Sequence, residues 1–150
     1  MEDKEICIQE AVSAYIYSKT PTQTKIILMS VVGSRGKNMS SGEASDYDLK
    51  VVVLYPTKHY LLQKIKPVIK KDWPTIQKCP QFDNLKVNEL ECSIICLHQF
   101  TQWCVISNQA AYDILFTPIH LLKDYEKVEE LKKLFTKAFA LNIEHTKGLN

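Results

Sequence analysis

The chain lacks most of the features that would mark a specialised class. No apolar run approaches the ~20 residues that a membrane-spanning helix needs. Neither sign of charge dominates. Lys and Arg number 19 against 17 Asp and Glu, and the formal net charge of +2 is too weak to imply nucleic-acid binding without a clustered basic face. The cysteines Cys7, Cys79, Cys92, Cys96 and Cys104 are odd in number and show no paired spacing, which argues against a disulfide framework. The N-terminus, Met1-Glu2-Asp3-Lys4-Glu5, lacks the basic start and apolar centre of a signal peptide. The expectation is a cytoplasmic protein with reduced thiols and no membrane partner. Internal repeats, low-complexity tracts and linkers are also missing. What remains is ordinary globular composition, 45% hydrophobic and 24% charged, in 150 residues. That length predicts one domain over 1–150, with a core over about 25–118 and a C-terminal helix over about 123–147.

Two stretches read clearly as strands. Lys25 to Val32 is a short apolar run rich in β-branched residues, closed by Gly33-Ser34. Tyr47 to Tyr55 carries Leu49-Lys50-Val51-Val52-Val53-Leu54 and is stopped by Pro56. Ahead of them, Ile6, Ala11, Val12, Tyr15 and Ile16 predict an amphipathic helix from Asp3 to about Ser18. A short helix is expected from His59 to Ile65. A third strand is expected over 85–91, with Leu85, Val87, Glu89 and Glu91 on one face. Ser93 then caps a helix through Leu97, Phe100, Trp103, Cys104 and Ile106. A further helix runs from Ala110 to Phe116. The last helix carries a stripe from Val128 to Leu141, read as core packing. Residues 66–84 hold three prolines and give no clear element. The sum is an α/β chain with a short mixed β-sheet and flanking helices, mainly on one side.

The chemistry gathers around Val31-Val32-Gly33-Ser34-Arg35-Gly36 and Ser45-Asp46-Tyr47-Asp48. Side chains alternate along a strand, so Asp46 and Asp48 share a face. A fold accepts two adjacent like charges when a cation neutralises them. A glycine lets backbone approach a phosphate closely, Ser34 adds a hydroxyl donor and Arg35 a planar cationic fork. Asp46 and Asp48 suit magnesium, or manganese in its place, held against the same phosphates. A second metal needs a third carboxylate; Glu91 is the first candidate and Glu89 the second.

Here the sequence resembles the DNA polymerase β nucleotidyltransferase superfamily. It is most similar to the stand-alone bacterial and phage nucleotidyltransferases found near RNA-repair ligases. Those show Gly-Ser-Arg, a loop, then Ser-Asp-Tyr-Asp-Val-Arg, an acidic strand, a helix and an Asn-led segment. The corresponding residues here are Gly33-Ser34-Arg35, Ser45-Asp46-Tyr47-Asp48, Glu91 and Asn108 to Pro118. The resemblance implies a polymerase-β-type nucleotidyltransferase palm. It further implies magnesium-dependent transfer of a nucleoside monophosphate from an NTP, with ATP the expected one, to a hydroxyl on RNA, protein or a small molecule, releasing pyrophosphate. Asp46, Asp48 and Glu91 are then the catalytic and metal-binding acids, and Gly33, Ser34 and Arg35 bind the nucleotide. The third acid is Glu where the family usually has Asp, and Gly36-Lys37 replaces the family's small-aromatic-glycine continuation. Many relatives extend through a longer helical C-terminal region, so an oligomer or a partner chain belongs among the expected partners.

The alternative readings are a catalytically inactive nucleotide- or partner-binding module, antitoxin-like or regulatory, and an unrelated metal-dependent hydrolase. Other residues carry plainer expectations. Lys50 follows the second aspartate and is expected to face away from it. Cys92, Cys96 and Cys104 are expected as small core residues rather than zinc ligands. Lys64, Lys66, Lys70 and Lys71 are expected on a solvated face.

Overall fold

The structure is a computed structural model and describes residues 2–33 and 46–148. Helix α1 (Asp3–Lys19) buries Ile8, Ala11, Val12, Tyr15 and Ile16, a stripe at helical spacing. Ile6, expected in that stripe, is exposed, and Ile8 takes its place. The helix ends at Thr20, whose extended backbone is what a following proline favours.

Five strands form one mixed sheet: β1 (Lys25–Val32), β2 (Asp46–Leu54), β3 (Val68–Lys71), β4 (Glu89–Cys96) and β5 (His120–Lys123). Their spatial order is β3-β4-β2-β1-β5. The β2–β4 pair is parallel and the other pairs are antiparallel. Between β2 and β4 the chain crosses through α2 (Thr57–Leu61), β3, α3 (Trp73–Ile76) and a 3-10 turn (Pro80–Phe82). After β4 come α4 (Leu97–Val105) and α5 (Gln109–Phe116), and α6 (Tyr125–Gly148) follows β5. No helix among the described residues is long and apolar enough to cross a membrane.

Helices cover both faces of the sheet, not mainly one. On the first face Met29, Val31, Leu49, Val51 and Ile94 pack with Val12, Ile16, Ile76 and Phe82. On the second, Leu28, Val52 and Ile95 pack with Phe100, Cys104, Ile114, Leu115 and Val128. A bulge between Ile26 and Leu28 lets Ile27 and Leu28 both join the second core. The α6 stripe is core only as far as Phe135; Phe139 and Leu141 are exposed.

The main departure lies at β4. The strand starts at Glu89 and continues through Cys96, so Leu85 and Val87 precede it and Ser93 is a buried strand residue, not a helix cap. From Cys92 to Cys96 every residue is buried, and a short run buried on both faces carries no period to separate strand from helix. The cap falls instead to Cys96, whose Sγ accepts from the Gln99 amide at 3.4 Å. Strands β3 and β5 span four residues each and were not expected.

Candidate active site

Asp46 and Asp48 open β2, and Glu89 and Glu91 open β4 beside them. The parallel register sets Asp46 opposite Glu89 and Asp48 opposite Glu91. Register partners on neighbouring strands point to the same face, so four carboxylates share one sheet face on strands about 4.8 Å apart. The next row along that face is Ser30, Lys50, Ser93 and Lys70, contributed by β1, β2, β4 and β3. Beyond it Val52 and Ile95 enter the helix-covered core. The acids therefore stand at the rim of the sheet, where packing ends. Asp46, Glu89 and Glu91 are exposed and Asp48 is half-buried.

Lys50 does not face away from Asp48. Two residues apart on a strand, they share a face, and Lys50 Nζ lies 3.5 Å from Asp48 Oδ1. The same ammonium donates to Ser93 Oγ at 3.1 Å. The Asp48 contact is electrostatic, because Asp48 Oδ1 is buried and makes no hydrogen bond among the described residues. Lys50 and Ser93 are thus part of the site, and the period-two rule applied to Asp46 and Asp48 also reaches Lys50.

Gly33 borders the same acids. Val32 pairs with Asp48 at the end of β1, and Gly33 follows with φ +76°, a conformation that glycine adopts without strain. A Cβ there would lie 3.8 Å from Asp48 Cβ and 4.0 Å from Asp48 Oδ2. The other two predicted nucleotide-binding residues, Ser34 and Arg35, lie outside the described residues, as does Lys37. The base of the turn is tied to the end of α5 and the segment after it. Thr117 Oγ1 donates to the Val31 carbonyl at 2.7 Å, Val31 N donates to Ile119 O at 3.0 Å, and Ser30 Oγ donates to Ile114 O at 2.7 Å. The Asn108 side chain starts α5 by accepting from the Ala110 amide at 2.7 Å.

Glu91 lines a polar cleft of about 310 Å³ with Lys70, Lys71, Asp72, Thr75, Cys92 and Ser93. Cys92 is no nucleophile, since burial pushes its thiol up to about 12. Among the described residues, no three His, Cys, Asp or Glu side chains form a group that could hold a metal ion. Asp46, Asp48 and Glu91 share a face and neighbouring rows, and their side chains do not converge.

A glycine turn closing one strand and an Asp-x-Asp opening its antiparallel neighbour, on a mixed sheet flanked by helices, are consistent with a polymerase-β-like nucleotidyltransferase. Residues 7–146 match the model of the RNA repair pathway DNA polymerase beta family, and the chain belongs to that family. Membership supports a general nucleotidyltransferase role in RNA repair. Comparison with curated proteins gave no match.

Proposed function

We propose that the protein transfers a nucleoside monophosphate from an NTP, ATP first among them, to a hydroxyl acceptor and releases pyrophosphate. The observation that supports this best is the β2–β4 register, which sets Asp48 beside Glu91 on the face that Gly33 borders. The donor set suits magnesium or manganese in kind, although the described side chains do not converge on one point. It consists of carboxylate oxygens, and one of them, Asp48 Oδ1, is buried beside the Lys50 ammonium with no hydrogen bond among the described residues. Asp46, Asp48 and Glu91 would hold the metal on turning toward one another, and it would supply charge neutralisation on the phosphates and a more acidic attacking hydroxyl.

The chain's own residues have separate tasks in this reading. Gly33 leaves the backbone bare for the triphosphate, with the Ser34 hydroxyl and the Arg35 guanidinium as its further donors. Lys50 fixes the Asp48 carboxylate. The acceptor oxygen bonds to the α-phosphorus, the bridge to the β-phosphate breaks, and Glu91 takes the hydroxyl proton. Five free thiols suit a cytoplasmic setting.

The test is Asp46→Asn with Asp48→Asn, incubated with labelled NTPs and RNA, protein or small-molecule acceptors. Loss of two metal carboxylates should lower labelling by about 10³-fold or more. Undiminished labelling would refute the assignment. Nucleotide binding by the wild type without turnover would make it a binding module instead.

A further inference from the structure

The cleft beside Glu91 has a composition that the transfer chemistry leaves unused. Strand β3 pairs with β4 only from Val68 to Lys71, opposite Ile95 to Cys92. Past Lys71 the chain turns away into α3, so the edge of β4 is open at Glu91. Two cations stand at that opening. Lys70 is opposite Ser93 and hence on the carboxylate face; Lys71 is opposite Cys92, on the other face by alternation, and still lines the cleft. Neither forms an ion pair with another described residue. Asp72, the nearest acid in sequence, accepts from the Thr75 amide at 3.1 Å and feels the charge of Lys71 without closing an ion pair with it. Lys50, the other lysine of the row, is taken up by Asp48 and Ser93.

Charge is also unevenly spread. Residues 64–86 contain six lysines against two aspartates, in a chain whose net charge is only +2. Lys64, Lys66, Lys78 and Lys86 are exposed along with Lys70. A single small anion would need only the cleft. A basic segment that continues away from it suits an extended polyanion, which gains from each phosphate it neutralises.

We infer that this cleft seats the acceptor, a single-stranded polynucleotide whose terminal phosphodiester lies on Lys70 and Lys71 and whose end hydroxyl meets Glu91. The inference rests on the transfer reading for its chemistry, while the binding it describes is measurable alone. The probes are short fluorescent single-stranded RNA and DNA oligonucleotides, followed by anisotropy against the full chain without NTP. Lys70→Gln with Lys71→Gln weakens binding about tenfold near 0.1 M salt and lowers the log–log salt slope by about 1.4, the loss of two phosphate contacts at ~0.7 each. Lys70→Arg with Lys71→Arg retains binding. The control pair Lys133→Gln with Lys137→Gln, exposed on α6, leaves affinity unchanged. NTP affinity is the same in all variants, and matching thermal melts show that each is folded. Preference for the RNA or the DNA probe identifies the source of the strand. Failure of the wild type to bind either probe, or equal loss in the α6 control pair, overturns the inference. Binding that depends on Lys70 and Lys71, with no nucleotidyl transfer to any acceptor, would refute the transfer reading and leave this site standing.

Discussion

Replacing Lys50 with methionine measures how tightly the site is built. Methionine keeps the stem volume and removes the ammonium. At 3.5 Å from Asp48 Oδ1, the attraction is about 5 kcal/mol gross at an effective dielectric of about 20. Most of that is offset by lost hydration, for the side chains of Lys50 and Asp48 retain 21% and 36% exposure. An exposed pair nets about 0–1 kcal/mol and a broken buried pair costs about 3–5, so this pair falls near 1–2 kcal/mol. Ser93 is buried and loses its donor, which adds about 1 kcal/mol. The expected loss is about 2–3 kcal/mol, or a Tm lower by about 5–10 °C in a chain of this size. Urea denaturation measures the loss. A double-mutant cycle with Ser93→Ala isolates the shared part, expected at about 0.5 kcal/mol or more. A Lys50→Met variant within about 0.5 kcal/mol of wild type would refute the reasoning and return Lys50 to solvent.

Three further outcomes follow from the same structure. Gly33→Ala places a Cβ at ordinary contact distance from Asp48 but forces alanine to φ +76°, so it costs about 1–2 kcal/mol in denaturant melts through backbone strain rather than collision. Burial holds His120 below its ordinary 6.5, and Lys123 and Lys132 push the same way against the hydrogen bond with the Ile114 carbonyl. The unfolded chain therefore binds more protons in that window, and stability falls as pH drops through 6.5 toward the folded value; His120→Gln flattens this part of the pH–stability curve. Among the thiols, Cys7 is exposed, while burial raises Cys92 to about 12 and Cys104 to about 11. A thiol reagent at neutral pH should modify Cys7 first, and fast reaction at Cys92 would contradict the packing.

What could be read from the sequence was what local rules govern. Strand β1 has the expected bounds because six of its eight residues are apolar and buried, Ser30 is buried with its hydroxyl on the Ile114 carbonyl, and Gly33 and the polar break before Lys25 close it. The Asp46–Asp48 pair follows from alternation, and the helix expected from Ala110 to Phe116 is α5, for which the structure adds Asn108 as the cap. The β4 start was misplaced because Leu85 and Val87 continue an alternation that tertiary pairing takes up only from Glu89. The short strands β3 and β5 owe their existence to edges offered by β4 and β1, and no pattern within four residues reports such an edge. The third acid shows the same division. Glu91 was named by its place in the chain, whereas its position opposite Asp48 depends on a parallel pairing across more than thirty intervening residues.

The most direct test of nucleotidyl transfer is the identity of the leaving group. The wild-type protein should be incubated with magnesium, each NTP in turn and a single-stranded RNA acceptor, and the released phosphates quantified by enzyme-coupled detection and by chromatography of γ-labelled NTP. Pyrophosphate should appear in one-to-one proportion with nucleotide joined to the acceptor, and both should vanish in the Asp46→Asn, Asp48→Asn variant. Inorganic phosphate released without labelled acceptor would contradict the account and make the protein a hydrolase built on the same acids.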